Sequence, residues 1–96
     1  MAIAGGIIGS RVSVLTASAT PLNTPMGVRQ QVYLTNLDGA NAIDIGGSNV
    51  AIGTGYQVKF GVSAGPISIP ANETLYGIAT AANVSCGVLT IKNTAR

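Results

Sequence analysis

Gln30-Gln31-Val32-Tyr33-Leu34-Thr35-Asn36-Leu37 is the stretch that sets the fold class. Successive side chains of an extended chain point to opposite sides, so Val32 and Leu34 share one face and Tyr33 and Thr35 the other. Asn36-Leu37-Asp38-Gly39 follows with an Asp-Gly turn signal. The segment therefore reads as a strand with a defined end.

The period of two continues in both directions. Val12 and Val14 alternate with Ser13, and Leu15 follows. Thr20 to Pro25 carries two prolines, which lack the N–H a central strand must donate, and predicts an extended connection or an edge. Ile43 and Ile45 share a face across Asp44, and Val50 and Ile52 share one across Ala51. Gly46-Gly47-Ser48-Asn49 lies between these pairs and can take positive φ, so residues 43–52 predict a hairpin. Tyr56, Val58, Phe60 and Val62 alternate with Gln57, Lys59 and Gly61 as a further strand. Pro66-Ile67-Ser68-Ile69-Pro70 predicts an edge segment, and Glu73 to Thr80 and Val84 to Lys92 complete the set. No stretch carries a sustained helical stripe with caps. About seven short strands at this spacing predict an all-β fold, a single antiparallel β-sandwich or small barrel.

The chain has 96 residues, enough for one small domain. Hydrophobic residues make up 47%, charged residues 8% and aromatic residues 4%. A chain this apolar and this weakly charged is not the solvated kind that stays disordered. No apolar run approaches the roughly 20 residues of a membrane-spanning helix. There is no His, which removes a His-based triad or zinc site, and the single Cys86 cannot form an internal disulfide. The net charge is +2, and Arg11, Arg29, Lys59, Lys92 and Arg96 are scattered. Nucleic acid is therefore not an expected partner.

The residues that could carry chemistry read as structural. The glycines around Gly46 precede a β pattern instead of the helix that a phosphate loop needs. Asp38, Asp44 and Glu73 each sit at a turn or on a polar strand face, with nothing to make two of them converge as an acid/base pair. Cys86 lies on an alternating apolar strand and is expected to be buried and inert. Tyr33, Tyr56 and Tyr76 could form a sugar-binding platform, but each falls in a strand pattern that favours Tyr for itself. No catalytic residue, metal site or cofactor is expected, and the chain is not expected to be an enzyme.

Residues 1–10, MAIAGGIIGS, form an apolar, Gly-rich N-terminal arm ahead of a sandwich domain at residues 11–96. The first positive charge, Arg11, comes after the apolar part, which is the reverse of an export signal. Ile3, Ile7 and Ile8 would be left in water on a frayed end, so the arm is expected to dock on a neighbour. With Tyr56 and Phe60 they are the expected interface residues. A short chain with so few charges and no disulfide or large aromatic core benefits from a partner surface, and a homo-oligomer, a trimer in the first instance, is expected.

Four segments carry a resemblance. These are Val32 to Asn36, Ile43 to Val50 (IDIGGSNV), Thr54-Gly55-Tyr56 and Glu73 to Ala79 (ETLYGIA). Together they resemble a pattern of small bacteriophage virion proteins, the head decoration or head-fibre-like proteins and related tail modules. The resemblance spans Val32 to Leu89, about 60% of the chain. It implies a β-sandwich virion component, assembled in the host cytoplasm, that binds the major capsid protein or other virion proteins. Capsid decoration is the leading expectation. A tail or fibre attachment module and a carbohydrate-binding module are the alternatives.

Overall fold

A computed structural model describes residues 7–16, 18–81 and 84–92. It contains eight strands and, among the described residues, no helix. They are β1 (Ile7–Val14), β2 (Thr20–Pro21), β3 (Gln30–Asn36), β4 (Ile43–Gly46), β5 (Tyr56–Val58), β6 (Ser63–Ile69), β7 (Tyr76–Ala79) and β8 (Val84–Lys92). One sheet has the order β1-β8-β3-β6 and the other β2-β7-β4-β5, with every pairing antiparallel. The two sheets pack as a sandwich, and no strand closes either into a barrel.

β3 behaves as its alternation requires. Val32 and Leu34 are fully buried between the sheets, and Tyr33 faces outward. β8 repeats the pattern, with Val84, Cys86 and Val88 inward and Leu89 outward. From the second sheet Ile43, Ile45, Val58 and Ala79 meet them, together with Val14, Leu22, Ile69 and Leu75. Each such aliphatic side chain contributes roughly 1.5–3 kcal/mol on leaving water. Both proline-bearing segments lie at edges as expected, with β2 at the rim of the second sheet and β6 at the rim of the first.

The inner face of β3 begins and ends in buried amides. Gln30 Nε2 donates to the Thr24 carbonyl at 2.8 Å, and Asn23 Nδ2 donates to Gln30 Oε1 at 3.3 Å. Asn23 Oδ1 accepts from the Leu75 N–H at 2.6 Å, joining β3 to the segment that leads into β7. At the other end Asn36 Nδ2 donates to the Asn41 and Val58 carbonyls at 2.8 and 3.0 Å, and Asn36 Oδ1 accepts from the Asp38 N–H at 3.0 Å. These contacts fasten one sheet to the other at both ends of a strand whose middle is aliphatic. No buried side-chain polar atom among the described residues lacks a partner, as burial of such groups demands.

Three sequence expectations need correction. Residues 43–52 do not form a hairpin: β4 pairs with β5, placing Ile43 opposite Val58 and Ile45 opposite Tyr56. Residues 47–55 instead fold back beside β4. Asp44 Oδ2 accepts the Gly53 N–H at 2.6 Å, Val50 is buried, and local turns use the Val50 and Thr54 N–H groups. Gly55 permits this return, because a Cβ there would stand 2.6 Å from the Ile45 carbonyl oxygen. The strand expected over Tyr56 to Val62 also stops early. A turn closes with Val62 N–H donating to the Lys59 carbonyl, and Gly61 takes φ +72°, which leaves Phe60 in the turn. Ile7 to Ser10, assigned from sequence to the arm, are the first half of β1 and pair with Val88 to Ile91. Ile3 lies outside the described residues.

Candidate functional site

β1, β8 and β3 lie side by side, and their register fixes what the outer face of the first sheet presents. Ile7 stands opposite Ile91, and Leu89 stands opposite Gly9 on one side and Tyr33 on the other. Gly87 stands between Arg11 and Thr35. Leu37 leans over this position, its side chain 3.5 Å from where a Gly87 Cβ would be. Ile7, Tyr33, Leu37 and Leu89 are all exposed. Arg11 is the one charged side chain on the outer face of these three strands. The glycines have no side chains to fill the face, so a furrow of about 530 Å3 is lined by Gly9, Gly65 and Gly87 together with Tyr33 and Leu89. A strand with large apolar groups on both faces is the pattern of a sheet covered on both sides, yet among the described residues only one side is covered.

The inner face of β1 opens progressively towards its start. Val14 is buried and Val12 half-buried, whereas Ser10 and Ile8 are exposed. The second sheet stops short of them. A groove of about 360 Å3 remains between Ile8, Ser10 and Val12 and the Leu22–Met26 segment.

The expected interface residues fall into two groups. Ile7 and Ile8 lie at the start of β1, on its outer and inner sides. Tyr56, 70% exposed, stands at the mouth of a cleft of about 500 Å3 with Ile45, Ile67 and Leu75, where β5 and β6 leave the sandwich open. Phe60 is exposed in the β5–β6 turn. β1 and β6 are opposite rims of one sheet, roughly 14 Å apart across three strand spacings. Tyr33, Leu37, Leu89 and Ile91 were not expected at an interface. The signal was present in the alternation that buries Val32 and Val88, since it turns Tyr33 and Leu89 outward.

The remaining candidates have structural tasks. Asp38 accepts the Ala40 and Asn41 N–H groups, and these bonds hold its carboxyl below its ordinary pKa. Asp44 holds the returning loop, and Glu73 is exposed in the segment before β7. Among the described residues no three His, Cys, Asp or Glu side chains gather as a metal site would need. Cys86 faces the core, and burial pushes its thiol up to about 11. The three tyrosines do not share a surface. Tyr33 faces out from the first sheet, Tyr76 lies on the opposite sheet beside Pro21 and Gly46, and Tyr56 stands at the cleft mouth.

Comparison with protein families, curated proteins and solved structures finds no match to this chain.

Proposed function

We propose that the chain is a non-enzymatic virion structural protein, a capsid decoration protein that binds the assembled phage head and stabilises it. The observation that carries this reading is the outer face of the first sheet, where Tyr33 and Leu89 line a glycine-floored furrow and exposed Ile7 and Leu37 lie on the same face, with one charge nearby. Covering such a face gains roughly 25 cal/mol for each Å2 of apolar surface removed from water. Major capsid protein subunits are the partner, and a protein that spans two of them couples its own docking to shell stability. The resemblance of Val32 to Leu89 to virion proteins gives the partner its class, and the low charge of the chain suits a component that works in an assembly.

The test is pelleting of the purified chain with shells of the phage that encodes it. Leu89→Asp places a carboxylate on the furrow wall and leaves the inward Val88 untouched. It is expected to weaken pelleting by about tenfold or more. Equal pelleting of both forms would contradict the outer-face assignment. Copy numbers on the scale of the shell support the head, whereas numbers on the scale of the tail would move the chain there.

A further inference from the structure

We infer that β1 pairs with β1 of a second copy of this chain, antiparallel about a two-fold axis at Ser10, joining two four-stranded sheets into one of eight strands.

Along β1 one row of backbone groups is left unused by the described strands. The Leu37 N–H donates to the Ser85 carbonyl, continuing the β3–β8 ladder, and the Asn36 N–H donates to the Val62 carbonyl on the β6 side. Hydrogen-bonding direction alternates along a strand. Odd-numbered residues of β8 thus bond to β3, and even-numbered ones bond to Ile8, Ser10, Val12 and Val14 of β1. The N–H and C=O groups of Ile7, Gly9, Arg11 and Ser13 therefore point away from the sheet. Among the described residues no strand takes them up.

Among the described residues only this rim is fit for pairing. β2 has two residues, one of them Pro21, and β5 has three. β6 is interrupted by a register shift between its partners Val32 and Leu34 and by Pro66, which has no N–H. Such devices keep an edge from pairing. β1 has eight residues, no proline and an unbroken register with β8. Because no other edge among the described strands accepts it, the partner's matching edge is also β1, and an interface of one patch with itself is two-fold. A trimer ring would require a second, different edge.

One register satisfies both hydrogen bonding and charge. It places Ile7 opposite the partner's Ser13 and Gly9 opposite the partner's Arg11, with the reciprocal pairs across the axis. All the outward N–H and C=O groups are then used. Arg11 lies over a glycine, whereas a slip of one pair in one direction sets Arg11 against the partner's Arg11, and in the other carries Ser13 past the partner's Ile7, the first described residue. On the inner side Ile8, 39% exposed, comes opposite the partner's Val12.

The proposal replaces the trimer expected from the sequence with a dimer and needs no shell, so failure of it or of the shell-docking reading leaves the other standing. Light scattering of the purified chain across concentration should give twice 9.6 kDa at the upper end. Gly9→Lys sets like charges opposite at two places and should weaken dimerisation on the order of tenfold. Adding Arg11→Glu to Gly9→Lys should restore it. A Cβ at Gly9 meets nothing within 4 Å, so neither variant crowds the fold, and unchanged melting checks this. A single-chain mass at all concentrations, a three-chain mass, or a dimer indifferent to Gly9→Lys would overturn the proposal.

Discussion

The two rims of the first sheet are built to opposite ends. β6 takes proline, a bulge and a glycine at φ +131°, and its end is held by Asn36, whose backbone bonds Gly61 and Val62 and whose side chain reaches Val58 across the sandwich. β1 runs straight and unprotected for eight residues, with exposed isoleucines at its start. An isolated protein that blunts one edge gains little by leaving the other open. This contrast between the rims is what the proposed pairing of β1 rests on.

The largest effect should come from cutting the anchor on the β6 side. Asn36→Leu leaves the Val58 and Asn41 carbonyls and the Asp38 N–H without their bonds, and should cost about 3 kcal/mol in chemical denaturation. A loss under about 1 kcal/mol would mean that water replaces the amide and that the β6 rim is not anchored as described. Matched substitutions sharpen the comparison. Gly65→Val forces a side chain into a left-handed backbone, 2.8 Å from the Val32 carbonyl oxygen, and should cost about 2 kcal/mol. Gly9→Val meets open space on the other rim, and the melting temperature of the dilute chain should stay within about 1 °C. Equal costs at Gly65 and Gly9 would erase the distinction between the rims.

Much of this architecture was legible because strand alternation is local. Gln30 to Asn36 and Val84 to Lys92 show their inner and outer faces in their own side chains, and the prolines at 21 and 66 mark rims without reference to other strands. What was not legible depends on contacts between distant segments. Asp44 and Gly53 draw the 47–55 loop back beside β4, a choice that overrides four turn-forming residues suited to a hairpin. The candidate interface split for a similar reason. Ile7 and Tyr56 are both exposed and apolar, but only the strand order puts them on opposite sides of the molecule. Gln30 and Asn36 kept the phase of Val32 and Leu34, so their burial was implicit in the pattern, while their partners at Asn23 and Val58 were not.

The most direct test of the account is residue-resolved amide exchange along β1, in the dilute chain and in the assembled state. Dilute, the amides of Ile8, Ser10, Val12 and Val14 should exchange slowly, while those of Ile7, Gly9, Arg11 and Ser13 exchange fast. On assembly the second set should slow to match the first. Fast exchange of Gly9 and Arg11 in the assembled state would contradict the claim that this rim is where the protein meets its partner.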